Sequence, residues 1–336
     1  MSDRIEWRGT GVLVIGGAGL LGSHLVSLLV ERGAKVAVFD LLRRAGREEI
    51  KWTPTPGVQF IEGDAGSIED LLDAYIGMYP AIFNLAANVA GIVHNLSSPA
   101  EMLADNVGIK LGVYRALSHL WNRGHAMTDL LVDISTVCVT PSEAPIPTPE
   151  SFVDPLRGPW SPESSNFGYG IAKLCGEFLS LHLPIPRVVI ARPSNLYGPK
   201  DYFGSGCHVI PSLIQRIESG EDPLKLWGGG QQTRTFVFAA DAALALIELA
   251  ERAPHKTVCN IGVPEEVTIQ EVAESICVAL EKAPAFEQDY GQPRGYHRRV
   301  PDLTVAGNLG LTCTKDWVRL ADGIQRTVAW WQAQRA

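Results

Sequence analysis

The chain has 336 residues, 46% of them apolar and 20% charged, enough for one large α/β unit, a smaller one and an ample core. A formal net charge of -8 with no long basic run excludes an ordinary nucleic-acid surface, while leaving room for a local basic pocket for a phosphorylated small molecule. The six cysteines (Cys138, Cys175, Cys207, Cys259, Cys277 and Cys313) contain no C-x-x-C pair, so a disulfide scaffold and a metal centre are not expected, and a reducing cytoplasm is the expected home.

Residues 11–30 are apolar enough to imitate a membrane span, but four glycines between 16 and 22 make a poor anchor. A buried parallel strand fits better: Gly11-Val-Leu-Val-Ile-Gly16 is a short branched run. It passes through Gly16-Gly-Ala-Gly19-Leu20-Leu21-Gly22 into a helical pattern at 23–32, stopped by Gly33. Strand, glycine turn and helix form the context in which G-x-x-G-x-x-G cradles a pyrophosphate against a helix N-terminus.

A second strand, Lys35-Val-Ala-Val-Phe-Asp40, ends in an acid 18 residues after Gly22. A carboxylate there accepts from both hydroxyls of an adenosine ribose and repels a 2′-phosphate, so NAD is expected over NADP. Arg43 and Arg44 follow at once and would suit a 2′-phosphate, which keeps that alternative open.

Residues 59–64 form a third expected strand, ending in Asp64 before Ala65, where an adenine would sit. A fourth, 81–87, ends in the small residues Leu85-Ala86-Ala87, where backbone passes close to a cofactor. Residues 102–123 are helical by spacing and carry Asn106. Residues 130–135 form a fifth strand running into Thr136-Val-Cys138, and 188–192 a sixth. Strands and helices alternating at this pace mean a doubly wound parallel sheet, a Rossmann-type α/β fold.

Seven prolines lie between 141 and 162, too many and too long a stretch for a plain connection; a mobile surface loop or a lid is expected. Then comes Phe167-Gly-Tyr-Gly-Ile-Ala-Lys173. Tyr169 and Lys173 are four residues apart, so a helix stacks them on one face. A neighbouring ammonium favours phenolate and would bring the tyrosine toward use as a base.

After Pro193 the regular alternation stops. A helix at 209–217, a Trp227-Gly-Gly-Gly turn, a strand at 234–238 and a helix from Asp241 follow. The capping box Thr268-x-x-Glu271 announces a further helix to Leu280. The expected division is a cofactor domain over 1–192 and a smaller mixed α/β substrate lobe over 193–336, with the chain crossing back around 234–250.

Taken together, the glycine motif, Asp40, Asp64, Asn84-Leu-Ala-Ala87, Ser135-Thr136, Tyr169 with Lys173, and Arg192-Pro-Ser-Asn-Leu-Tyr-Gly-Pro199 resemble the extended short-chain dehydrogenase/reductases, specifically the nucleotide-sugar epimerases. The resemblance implies an NAD-dependent isomerase in which Thr136 bonds a sugar hydroxyl, Tyr169 takes its proton, and Lys173 tunes the tyrosine and holds the nicotinamide ribose. It adds Pro193, Asn195 and Leu196 to the cofactor wall. Within the family, the finer resemblance is to the GDP-fucose synthase and GDP-mannose 3,5-epimerase groups. It implies Cys138 and His208 as an acid/base pair for epimerisation at C3 and/or C5, once transient oxidation at C4 has acidified those protons. It also implies Asn88, Val89, Asn195, Val209, Arg216, Trp227, Arg234 and Arg299 as contacts to a nucleotide-diphosphate sugar; no membrane or nucleic-acid partner is expected.

Some positions depart from those groups: Thr140 stands where an aromatic is usual, and Val209 where the mannose epimerases use a lysine. Asp40 fits a retained NAD and argues against a reductase that consumes NADPH. A 3,5-epimerase/4-reductase, a simple 4-epimerase and a non-catalytic NAD-binding scaffold are the alternatives; the intact Thr136, Tyr169 and Lys173 argue against the last. The resemblance further implies a homodimer paired through the helix around 104–121 and the one bearing Tyr169.

Overall fold

The computed structural model describes residues 5–44, 48–49, 52–53, 55–153, 166–293 and 295–335. Strand β1 (Gly11–Ile15) turns into helix α1 (Leu20–Glu31), and β2 (Lys35–Asp40) leads to a small hairpin, β3 (Arg43–Arg44) with β4 (Glu48–Glu49). Then come β5 (Gln59–Glu62), α2 (Ile68–Asp73), β6 (Ala81–Asn84), α3 (Ile92–Ser97), α4 (Pro99–Asn122), β7 (Leu130–Ile134), α5 (Phe167–Leu181) and β8 (Arg187–Pro193). The remainder comprises β9 (Asn195–Tyr197), α6 (Val209–Glu218), β10 (Leu224–Trp227), β11 (Thr233–Phe238), α7 (Ala239–Arg252), β12 (Thr257–Ile261), β13 (Glu266–Thr268), α8 (Ile269–Ala279), β14 (Phe286–Asp289), β15 (Arg298–Arg299), α9 (Thr304–Asn308) and α10 (Leu320–Ala333).

Seven strands form one parallel sheet in the order β12-β8-β7-β6-β1-β2-β5. The chain steps outward from β1 to β2 and β5, then returns to build β6 on the other side. The crevice beyond the carboxyl ends of β1 and β6 is therefore the topological switch point, where open α/β sheets bind ligands. Both faces are covered, as a parallel sheet requires. Val12 and Val14 of β1 pack into one core with α1 and α7, while Leu13 and Ile15 pack into the other, below α4.

The second lobe is built on β11, which pairs antiparallel with β13 and parallel with β15 and β9. Helices α6, α8 and α10 cover it around Ile214, Phe236 and Val272. The expected capping box at Thr268 is present in both halves. Between β11 and β13 the chain leaves this lobe: α7 packs on α1, and β12 becomes the outer strand of the large sheet beside β8.

The apolar stretch 11–30 is split between β1 and α1, as expected, and among the described residues no helix is long and apolar enough to cross a membrane. Two local readings differ from the sequence-based ones. The fourth strand stops at Asn84 rather than 87, because residues 85–87 peel away beneath the glycine turn. The first part of the proline-rich segment is fastened down: Thr148 N donates to Val300 O at 2.9 Å, and the carboxylate of Glu150 accepts from Asn260 N at 2.7 Å. Residues 154–165, and the side chains of Arg43 and Arg44, lie outside the described residues.

Candidate active site

The glycine turn is shaped by contact with its neighbours. Gly16 has φ of 79°, and a Cβ there would lie 2.7 Å from Ala86 N. At Gly22 a Cβ would run into Gly16 O and the backbone of Gly17, so α1 starts tight against the turn. Gly19 is different: its Cβ would meet only Gly16 O, at an ordinary 3.5 Å. Nothing in the protein demands a glycine at 19, and the surface above it faces the cavity. Asp40 closes the turn from the end of β2, accepting from Ala18 N through Oδ2 and from Leu42 N through Oδ1, each at 2.9 Å.

Asp64 follows β5, where its Oδ1 accepts from Gly66 N at 2.8 Å. On the opposite side Asn88 sits after β6, its amide nitrogen donating to Asp105 Oδ2 at 2.8 Å. Asn106 corrects an expectation. It does not line the cavity but clamps the Asn88 backbone from behind, accepting from Asn88 N at 3.0 Å and donating to Asn88 O at 2.9 Å. A residue anticipated against the cofactor thus shapes the loop that the cofactor would touch.

Helix α5 and the turn after β7 bring the catalytic candidates together. Thr136 is buried, and its hydroxyl oxygen caps the turn bearing Cys138 by accepting from Cys138 N at 3.2 Å. Lys173 is buried, donates to Ile134 O at 3.0 Å, and places its ammonium 5.6 Å from the Tyr169 ring centre. The expected lowering of Tyr169 is not found: burial pushes its phenol up, with Cys138 adding to the rise. Burial also pushes Lys173 well below the ordinary lysine range.

Behind this pair, Arg192 grips Glu177 with Nε at 2.8 Å and Nη2 at 2.7 Å, and the Ser135 hydroxyl donates to the same carboxylate. Such a bidentate pair locks the base of α5 to β7 and β8. The residue next to Thr136 is therefore fixed in place.

The second lobe supplies the facing wall. His208 stands at the N-cap position of α6, with Nδ1 3.7 Å from the buried carboxylate of Asp201, and its loop docks on the first lobe where Gly91 N donates to Gly206 O at 2.7 Å. Arg216 pairs with Glu221 and lies 5.9 Å from the Trp227 ring centre. Arg299 stacks on Tyr296 at 4.1 Å and donates Nη1 to Cys138 Sγ at 3.3 Å, while its Nε and Nη2 are buried without a protein acceptor. Arg234 is pushed down to about 10 by burial, with the Arg299 charge adding to the fall. The buried Arg299, with Nε and Nη2 to spare, and the half-buried Arg234 beside it make this wall suited to an anion.

All these elements open onto one cavity of about 1910 Å³. Single small-molecule sites usually occupy about 300–1,000 Å³, so there is room for two ligands side by side. Apart from Asn106, every site residue expected from the sequence lines it: Gly16, Gly19, Leu20, Leu21, Gly22, Asp40, Asp64 and Ala65 at one end, and Val209, Arg216, Trp227, Arg234 and Arg299 at the other. Leu85, Ala86, Ala87, Asn88, Val89, Thr136, Cys138, Tyr169, Lys173, Pro193, Asn195, Leu196 and His208 lie between. Among the described residues no cluster of His, Cys, Asp and Glu could hold a metal ion.

Sequence reasoning missed His94, whose Nε2 is buried without a partner, and Ser194, whose hydroxyl is likewise orphaned; both line the cavity. It also passed over Lys110, Asp133 and Glu177. A signal existed for these three: charged residues among apolar neighbours on a strand or an inward helix face need partners.

A parallel sheet with a glycine turn at its switch point, a carboxylate ending the second strand and a Tyr/Lys pair across the crevice defines a dinucleotide-dependent enzyme of the short-chain dehydrogenase/reductase superfamily. The chain belongs to the NAD dependent epimerase/dehydratase family, whose model matches residues 12–262. It is similar to dTDP-4-dehydro-6-deoxy-D-allose reductase of Streptomyces bikiniensis, 29% identical over 97% of this chain and 98% of that one. It is also similar to a putative GDP-L-fucose synthase of Oryza sativa subsp. japonica, 34% identical over 71% of this chain and 68% of that one. Among solved structures, an epimerase of Methanothermobacter thermautotrophicus matches with a TM-score of 0.84 at 24% identity, covering 98% of this chain and 94% of that one, which bears on the fold. NAD is the cofactor, and the residues present fit it: only an ordinary contact above Gly19, a tight Gly22, and the Asp40 carboxylate at the end of β2, where a ribose would come.

Proposed function

We propose that this enzyme epimerises a nucleotide-diphosphate sugar, a GDP-sugar in the first instance, at C3 and/or C5 by way of a transient C4 ketone. The observation that carries this is the convergence of Tyr169, Cys138 and His208 on one cavity whose far wall holds Arg234 and Arg299. The first lobe takes the cofactor, and the second takes the nucleotide sugar, its diphosphate against the two guanidiniums. NAD, when bound, accepts the C4 hydride and later returns it. Thr136 bonds the C4 hydroxyl, and Tyr169 removes its proton. The ketone then acidifies the neighbouring C–H bonds, because the resulting enolate is resonance-stabilised. One member of the Cys138/His208 pair removes a proton and the other returns one from the opposite face. Tyr169 finally gives its proton back to the C4 oxygen.

A 4-reductase reading draws support from the reductase among the relatives. Asp40 at the ribose weighs against it, since reduction without regeneration calls for a consumed dinucleotide, commonly NADPH. The exposed Phe178 on α5, beside α4, supports a homodimer paired through those helices, and six free thiols support a cytoplasmic setting.

The test is turnover of GDP-sugars in deuterated water. Deuterium at C3 or C5 with no net change in NAD supports the proposal. Epimerisation at C4 alone, without deuterium, would leave Cys138 and His208 idle and sink it.

A further inference from the structure

Lys110 lies on α4 with only 4% of its surface exposed. Its stem crosses α5 at Gly176, where a Cβ would come within 2.7 Å of its Cγ and 2.9 Å of its Cε. The glycine makes the passage that brings this ammonium inside. There it ion-pairs with Asp133 of β7 and donates to Ile134 O at 3.1 Å, the same carbonyl that accepts from Lys173 at 3.0 Å.

Bringing two ammonium groups to one carbonyl is unfavourable, since each buried ion costs several kcal/mol to desolvate. The cost is offset by Asp133, which also accepts from Asn84 Nδ2 and from Ser180 Oγ, each at 2.8 Å. The charged groups around Lys173 are Lys110 from α4, Asp133 from β7 and Glu177 from its own helix, with the Tyr169 phenol nearby. Glu177 is already taken by Arg192 of β8 and by Ser135. Asp133 is the carboxylate Lys173 would turn to if Lys110 let it go.

We propose that Lys110 is a positioning residue: by occupying Asp133 it keeps the ammonium of Lys173 turned toward Tyr169 and the cofactor. The inference rests on Tyr169 and Lys173 serving hydride transfer.

The test compares Lys110→Met, which keeps the stem and removes the charge, with the double variant Lys110→Met/Asp133→Asn, which also removes the competing carboxylate. NAD affinity is read by titration, and the pH dependence of bound-NAD reduction by a nucleotide sugar reports on Tyr169. Lys110→Met should bind NAD about tenfold more weakly, and its acid limb should move up by about one pH unit as the phenol loses its cation. The double variant should regain most of both losses, because nothing then draws Lys173 away. A single variant that is less stable but unchanged in NAD affinity and pH limb would overturn the proposal. So would a double variant impaired as badly as the single. Wild-type enzyme that binds NAD yet never reduces it with any nucleotide sugar would overturn the underlying reading as well, which separates the two failures.

Discussion

The guanidinium of Arg299 and the thiol of Cys138 meet across the two lobes, Nη1 donating to Sγ at 3.3 Å. One side chain comes from β15, the other from the turn after β7, so the contact exists only when both lobes are in register. Arg299→Met should slow turnover roughly ten- to hundredfold, the range for losing a hydrogen bond to a charged group. Deuterium uptake should suffer at least as much as hydride transfer if Cys138 serves proton exchange, as proposed. NAD titration checks specificity: an equal loss of NAD affinity would mean that Arg299 acts through the fold and not through the sugar side of the cavity.

The glycine turn separates packing from binding. Gly22→Ala drives a Cβ into Gly16 O and the Gly17 backbone and should lower the melting temperature and NAD affinity together. Gly19→Ala meets only Gly16 O at 3.5 Å, so its melting temperature should stay within about a degree or two, consistent with a change of well under 1 kcal/mol. Its NAD affinity should nevertheless fall at least about tenfold, because the added methyl stands where a pyrophosphate must approach. An alanine at 19 that left NAD binding intact would count against the turn as the phosphate cradle.

Asp40 closes the glycine turn and is the proposed partner of the adenosine ribose, and a substitution can separate the two. Asp40→Asn keeps an acceptor for Ala18 N or Leu42 N but removes the negative charge. NAD affinity should fall, since a ribose hydroxyl bonds a carboxylate more strongly than an amide, while NADP affinity should rise once the repulsion of its 2′-phosphate is gone. Parallel titrations with the two dinucleotides check the ratio. Unequal losses with no gain for NADP would place the adenosine ribose elsewhere.

Much of this architecture was legible in residue order because it is local. The run Val12-Leu-Val-Ile15, the glycines that follow and Asp40 fall within one β-α-β unit, where spacing alone dictates geometry. The capping box at Thr268 is local in the same way. What was not legible depends on elements distant in sequence. The chain was expected to cross back around 234–250, but Thr257–Ile261 carries the polar Asn260, and nothing local marks it as the outer strand of the large sheet. Asn106 was placed against the cofactor because its spacing could not show that it would clamp Asn88. The pull of Lys173 on Tyr169 was read from helical spacing, whereas burial and the thiol of Cys138 decide the outcome.

The buried lysine should also write its signature into stability. Its folded proton affinity lies well below that of an ordinary lysine, about 10.4, so between those two values the unfolded chain binds more protons than the folded one. Stability from this group therefore rises with pH through that window and is lost as pH falls through the folded value. Lys173→Met has no such proton to take up, so its stability should vary less steeply as pH rises toward the ordinary lysine value. The phenol of Tyr169 acts in the opposite sense, because burial raises it and the folded chain keeps its proton longer than the unfolded one. That opposing contribution begins only near the ordinary tyrosine value of about 10 and is common to both proteins. Urea unfolding midpoints below about pH 10, where Tyr169 does not yet contribute, isolate the lysine. Wild type should gain on Lys173→Met steadily as pH rises. Parallel curves for the two proteins would mean that Lys173 keeps its proton in the fold throughout this range.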